Sequence, residues 1–444
     1  MPAVPPTFQL LIVGVIGAAL GALVNWATYR FAWFHPREIS PWGPKPEKAA
    51  ARNFFDRLPI FGWLGLRREH AIHGKGFWIR PLLIELSIAF GLAWLYWWEV
   101  HQQALVVGQV EEIFQLRLLG LANFAPVMWT QATFLNHALL ITLMAAASFI
   151  DIDEKIIPDE ITVPGTLLGL ALAALLPLGL LPHADIRKAP EVVSEPIKLP
   201  NQAAVLVFPG NAMYVEPTTL SSPRELSMQV GSWQYLLVGQ GCWWLWCFAL
   251  TPRVFRGRRG LCRGLSILMR RVMRELTRPP LMIIALLGSI LIAVVWWSNG
   301  AAWVGLLTSL VGLAVSGGLV WAIRLVGTAA LNREAMGFGD VTLMMMVGTF
   351  LGWQAGILIF FLAPFAGLVV GLMQLILRRD DEIPYGPFLC LAALFVMVQW
   401  AEVWNRVQFA FSVGWLMPAV LIVCVMMLGV MLFIWQQIKR RLIG

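Results

Sequence analysis

The chain is short of charge and of cysteine. Of its 444 residues only 13% are Asp, Glu, Lys or Arg, roughly half the share of an average soluble domain. An ordinary water-facing surface is thereby excluded for most of it. The five cysteines are Cys242, Cys247, Cys262, Cys390 and Cys424, and their spacing matches neither a disulfide framework nor a zinc site. Six histidines are scattered along the chain. His70 and His73 form an H-x-x-H pair, but too few further ligands accompany them for a metal. There is no H-E-x-x-H, no G-x-S-x-G and no P-loop, which sets aside zinc-protease, serine-hydrolase and nucleotide-hydrolysing chemistry. The net charge of +8 comes from Lys and Arg gathered in a few loops. That pattern fits the positive-inside rule better than a nucleic-acid surface, and no nucleic-acid partner is expected.

Apolar residues are what the chain has in plenty, at 59%. Runs of membrane-spanning length lie near 8–28, 81–98, 126–149, 161–181, 233–250, 281–298, 301–323, 341–354, 357–377, 386–403 and 412–435. They predict an all-α polytopic membrane protein with about eleven transmembrane helices. Residues 341–377 are too long for one span, and Gly352-Trp353-Gln354-Ala355-Gly356 is the expected break. The first apolar run is too long for a cleaved signal peptide, so a retained helix is expected. Basic residues crowd the loop from Arg30 to Arg80, the segment from Arg253 to Arg278, Arg378-Arg379 and the tail Lys439-Arg440-Arg441. An outside N-terminus and a cytoplasmic C-terminus put all of these on the cytoplasmic side. The segment 182–232 predicts a small β-rich insert or ordered loop outside the membrane. Trp94, Trp97, Trp98, Trp243, Trp244, Trp246, Trp296 and Trp297 suit an interfacial aromatic belt.

Against this background two acidic stretches stand out. Ile150-Asp151-Ile152-Asp153-Glu154-Lys155-Ile156-Ile157-Pro158-Asp159 and Gly337-Phe338-Gly339-Asp340 each abut an apolar run, where an acid is costly and points to function. The topology above brings Asp151 and Asp340 to the same membrane edge. Together they would make an aspartyl dyad. Asp151 follows a helix, whose negative dipole end disfavours an anion; Asp340 precedes one and can act as its N-cap. Asp151 is therefore the expected acid and Asp340 the expected general base, with one proton shared between them. Gly337 and Gly339 would allow a sharp turn and close helix approach. Asp159, after Pro158, reads as the N-cap of the next span, and Asp153 and Glu154 as a wet surface turn.

These residues resemble those of the type IV prepilin peptidase family, the GxGD-type leader peptidases of pilin-like proteins. Four stretches carry the resemblance in order. They are Gly21–Arg30, the Asp151-to-Asp159 segment, Gly337–Asp340 running on to Gly348–Trp353, and Ile383-Pro384-Tyr385-Gly386-Pro387-Phe388-Leu389. The resemblance covers 8–181 and about 300–403. It implies that Asp151 and Asp340 are catalytic, with Pro158, Asp159, Gly337, Gly339, Pro384, Gly386 and Pro387 supporting the motifs. It also implies that cleavage needs no cofactor or metal. Pilin-like or pseudopilin precursors would be cut at the cytoplasmic face of a bacterial inner membrane, with membrane lipids and pilus or secretion assembly components as further partners. Asp153, Glu154, Asp380, Asp381 and Glu382 could draw in a basic leader. Many members carry two CxxC pairs in the first cytoplasmic loop, and here residues 29–80 have no cysteine. S-adenosylmethionine is therefore expected as a cofactor only if methylation of the product is retained.

The organisation that follows is a first helix (1–28), a cytoplasmic loop (29–80) and a core with the first Asp (81–181). An insertion (182–300) holds the outer loop 182–232 and an Arg-rich loop 252–279 suited to anionic lipid headgroups. The GxGD core (301–403) and an added span with a basic tail (404–444) complete the chain. Two other readings compete: a proton- or cation-coupled transporter, disfavoured because its acids would lie near the midplane, and a non-catalytic assembly scaffold.

Overall fold

The computed structural model describes residues 5–32, 41–42, 49, 51–114, 127–188, 204–208, 211–222, 231–251, 279–331, 334, 336–377, 384–414 and 416–443. They divide into two compact units. The first comprises 1–165, 181–219 and 358–424, the second 166–180, 220–357 and 425–444.

In the first unit, α1 (Pro6–Phe31) opens with Pro at its first position, where the missing N–H costs nothing. Gly17 and Gly21 lie four residues apart on one face. A Cβ at Gly17 would come 2.9 Å from the Ala89 backbone, and one at Gly21 would come 2.7 Å from that of Glu85. Small residues at this spacing let α1 lie directly against α4 (Ile79–Tyr96), as expected where lipid supplies no hydrophobic drive. Between them come α2 (Phe61–Leu66) and the turn α3 (His70–His73). Next follow α5 (Ala104–Phe114), α6 (Val127–Glu154) and α7 (Asp159–Leu175), the last of which crosses into the second unit. Strands β1 (Pro182–Lys188), β2 (Ala204–Phe208) and β3 (Asn211–Thr219) form an antiparallel sheet in the order β1-β3-β2. Pro182 pairs with Thr219, and Phe208 with Asn211. The expected β-rich insert is therefore a sheet docked by side chains of flanking helices. Gln109 accepts from the Ala184 N–H and donates to the Pro182 carbonyl, both at 3.0 Å. Trp400 donates to the same carbonyl at 2.8 Å.

The second unit is built on α8 (Trp233–Ala249), α9 (Pro279–Ser298), α10 (Ala301–Leu331) and the first part of α11 (Phe338–Leu377). Gly312 and Ser316 of α10 meet Gly348 and Gly356 of α11, where added Cβ atoms would collide with the facing helix. Gly352 interrupts α11 with φ 80° and ψ 173°, in the region that glycine tolerates, at the expected break. A break frees backbone carbonyls that must find new donors. The Ser309 hydroxyl donates to the Thr349 carbonyl at 2.6 Å.

Among the described residues, six helices are long and apolar enough to cross a membrane, or seven if a bent pair counts as one span. That pair is α12 (Gly386–Val398) and α13 (Trp400–Ser412), bent by 93°. The expected eleven counted 341–354 and 357–377 separately, whereas they form one kinked helix. It also counted α7 and α8, which are 17 residues each, and 412–435, whose apolar part Leu416–Leu432 is as short. The last helix is α14 (Leu416–Ile443). Trp243 and Trp246, expected in an interfacial belt, are instead core residues at 2% and 1% exposure. The Trp243 indole sits on Gly288 and donates to the Ala285 carbonyl at 3.0 Å.

Candidate active site

Asp151 lies four positions from the C-terminus of α6 and is 4% exposed, inside the first unit. Its Oδ2 faces Gly386, the first residue of α12, whose backbone N–H approaches the carboxyl. A Cβ on Gly386 would occupy the position of that oxygen. The motif residues of 383–389 thus do a definite job. Gly386 leaves room for the carboxylate, and Pro387 takes a helix position where no N–H is needed. The Gly386 N–H, at the start of α12, also faces Asp151. The sequence-based reading weighed only the C-terminal end of the acid's own helix. With a helix N-terminus facing it as well, the two dipoles oppose, and dipoles alone no longer assign the proton to Asp151.

Asp153 is not a free acid. Arg80 binds it at 2.8 Å, and the same guanidinium lies 5.5 Å from the Phe149 ring. Pro158 rather than Asp159 caps α7, because its carbonyl accepts from the N–H groups of Ile161 and Thr162 at 3.1 and 3.3 Å. Asp159 sits in the first turn, where the helix dipole still favours its anion. Asp380, Asp381 and Glu382 lie outside the described residues.

Asp340 belongs to the second unit. It stands in the first turn of α11, just inside the expected cap position, and is 7% exposed. The residues after it are deeply buried, with Val341, Leu343, Met344 and Met346 all at 0% exposure. Gly337 contacts the carboxylate side of this turn, 3.6 Å from Oδ2 if given a Cβ. Thr342 donates to the Gly339 carbonyl at 3.0 Å. Arg324 of α10 fixes the approach to the motif: it donates to the Met336 carbonyl at 2.9 Å, pairs with Glu334 at 3.3 Å and lies over the Phe338 ring.

Two residues escaped the reading of the sequence. Arg324 sits inside an apolar run, the same signal that singled out the aspartates. Glu85 does too, and at 0% exposure it joins α1, α4 and the first loop. It accepts from Asn25 at 3.0 Å, from the Trp63 indole at 2.8 Å and from the Ile60 N–H. Ile60 has φ 66°, a strained conformation for a β-branched residue that the Glu85 bond helps to hold.

The first loop is cross-linked by ion pairs. Arg52 binds Glu69 at 2.9 Å, with His73 at 3.3 Å from the same oxygen, and Arg68 binds Asp56. Burial works to raise the pKa of Asp56 and Glu69. The hydrogen bonds and charges of Arg68 and Arg52 outweigh it and hold both carboxyls below their ordinary values. With no cysteine in 29–80, this loop does not fit a thiolate-bound zinc. Among the described residues, no three His, Cys, Asp or Glu side chains converge as metal ligands.

Residues 271–372 match the model of the type IV leader peptidase family. The stretch contains Gly337, Gly339 and Asp340, while Asp151 lies before it. Curated relatives agree. A prepilin leader peptidase/N-methyltransferase of Aeromonas salmonicida is 31% identical over 97 residues, covering 21% of this chain and 32% of the relative. Proteins of the same name from Pseudomonas aeruginosa and Pectobacterium carotovorum are 30% and 34% identical over 124 and 110 residues. Those alignments cover 25% and 22% of this chain and 42% and 39% of theirs. The matched stretches thus span about a third of the relatives' length. No solved structure matches. The resemblance to type IV prepilin peptidases therefore rests on similarity over about a quarter of the chain as well as on the four motifs.

Proposed function

We propose that this chain is an aspartic endopeptidase that removes the short basic leader from type IV pilin-like or pseudopilin precursors. Cleavage takes place at the cytoplasmic face of the bacterial inner membrane, with Asp151 and Asp340 as the catalytic pair. The observation that carries the reading is the burial of both carboxyls among apolar helices, at 4% and 7% exposure, where an ionisable group is costly. The family match over Asp340 and the relatives' names support it.

In this mechanism one carboxylate takes a proton from water as it attacks the scissile carbonyl. The partner acid protonates the carbonyl oxygen; the carboxyl that took water's proton then gives it to the leaving amine as the C–N bond breaks, and a hydroxyl of the diol returns a proton to the partner. The two carboxyls titrate as a pair, and their roles exchange within the cycle. The relatives' names also include N-methyltransferase. S-adenosylmethionine enters only if methyl transfer occurs, and the mass of the product decides that.

The test is co-expression in membranes with tagged pilin-like precursors, following leader loss by mass. Asp151→Asn and Asp340→Asn are each expected to reduce cleavage roughly 10²–10⁴-fold. Cleavage that survives either substitution at the parent rate sinks the mechanism.

A further inference from the structure

The first unit carries a groove of about 1000 Å³ between α4, α6 and α12. Its walls are almost wholly apolar, formed by residues such as Leu83, Gly91, Met144, Ile152, Pro387 and Leu391. Leu83 and Leu391 are about half exposed, so the groove is open along one side. We infer that this groove is the docking surface for an apolar transmembrane helix of the substrate, seated so that its flank reaches Asp151. The inference rests on the peptidase reading proposed above.

Two observations choose this occupant. The first is length. Along α4 the groove runs from Ile79 to Leu95, sixteen helical steps or about 24 Å, which approaches the hydrocarbon thickness of about 30 Å. A lipid chain fills only one leaflet, whereas a spanning helix matches the whole run. The second is continuity with the site. Ile152 and Pro387, at one end of the groove, are the chain neighbours of Asp151 and of Gly386, which faces that carboxylate. Asp151 is buried, so a scissile bond reaches it from beside a helix already held in the groove. Just past this end stands the Arg80–Asp153 pair. Arg80 neutralises Asp153 there, so a basic flank of the substrate gains that carboxylate only by displacing Arg80.

A glycine on the wall gives the test. A Cβ on Gly91 meets nothing within 4 Å, and the same is true of Gly14 on α1, outside the groove. Full-length protein in membranes, co-expressed with a tagged pilin-like precursor, would carry a photo-cross-linking residue at Gly91 or Leu391, with Phe365 as the exposed control elsewhere. Precursor adducts are expected at the two groove positions and not at Phe365. Gly91→Trp is expected to slow cleavage roughly tenfold or more by filling the groove, while Gly14→Trp cleaves like the parent. Cleavage by the parent with only phospholipid captured at Gly91 and Leu391 overturns the docking surface and leaves the peptidase standing. Adducts without cleavage by the parent uphold the docking surface and remove the peptidase reading. Neither adducts nor cleavage overturns both.

Discussion

Gly386 makes room for the Asp151 carboxylate and Glu85 ties α1 and α4 to the first loop, and neither is expected to touch the reacting atoms. Gly386 is required by space. Any side chain there displaces the Asp151 carboxylate, so Gly386→Ala forces a shift costing about 1–3 kcal/mol. Cleavage in the membrane assay should fall about tenfold or more, with thermal stability changed far less than activity. Equal losses of both would mean that Gly386 serves packing alone. Glu85 is required by hydrogen bonding. Glu85→Ala leaves the Ile60 N–H, the Trp63 indole and Asn25 without their shared acceptor, and each buried donor left unpaired costs about 1–3 kcal/mol. Glu85→Gln keeps an acceptor oxygen and should recover part of that loss in detergent unfolding curves. Identical behaviour of the two variants would contradict the role given to the carboxyl oxygens. A contact such as Gly386 with Asp151 joins residues far apart in the sequence, which is why the motif was visible in the chain but its purpose was not.

At the scale of elements, the helix pair α10–α11 and the first loop carry separate predictions. The pair packs backbone to backbone through Gly312, Ser316, Gly348 and Gly356. Gly348→Val puts a branched side chain against the Gly312 carbonyl, and overpacking of this kind costs about 1–3 kcal/mol; Ser309→Ala removes a single interhelical bond worth about 0.6 kcal/mol. Unfolding in mild detergent should therefore rank Gly348→Val well below Ser309→Ala. In the loop, Asp56 and Glu69 have lowered pKa values. Their ion pairs thus contribute fully above the unfolded carboxylate values near 4, and that contribution is lost as the pH falls through the lower folded values. A cysteine replacing Leu66, which is 1% exposed, should be protected from an acid-active disulfide reagent at pH 6 and react as the pH drops below about 4. Protection that stays constant down to pH 2 would show that the ion pairs do not hold the loop. The apolar runs made most helix starts legible, although 301–323 and 412–435 stop eight residues short of Leu331 and Ile443, and the glycine at 352 made the kink legible, because both are local properties. The 93° turn between α12 and α13 was hidden, since no Gly or Pro marks Gln399-Trp400. Tertiary bonds from Trp400 to Pro182 and Trp404 to His183 hold the helix after the bend. Trp243 and Trp246 misled for the same reason, because composition does not say which indole finds a carbonyl inside the fold.

At the scale of the whole molecule, the two proposed catalytic carboxyls arise from different compact units, Asp151 from the first and Asp340 from the second. They are separated in sequence by the sheet and the Arg-rich insertion. The family match begins at residue 271 and includes Asp340 without Asp151; the insertion proposed after α7 would divide what a continuous alignment joins. A dyad assembled in this way has a kinetic signature. If both carboxyls act on one water and one carbonyl, removing either removes the same step, so their effects do not add. Asp151→Asn and Asp340→Asn should each lower cleavage roughly 10²–10⁴-fold, and the double variant should be no slower than the worse single one. Carboxyls serving separate steps, such as one in catalysis and one in substrate binding, would instead give a double variant slowed by about the product of the two single effects. The comparison needs only single-turnover rates on one precursor, with the Gly14→Trp variant run beside them as a control for expression and folding.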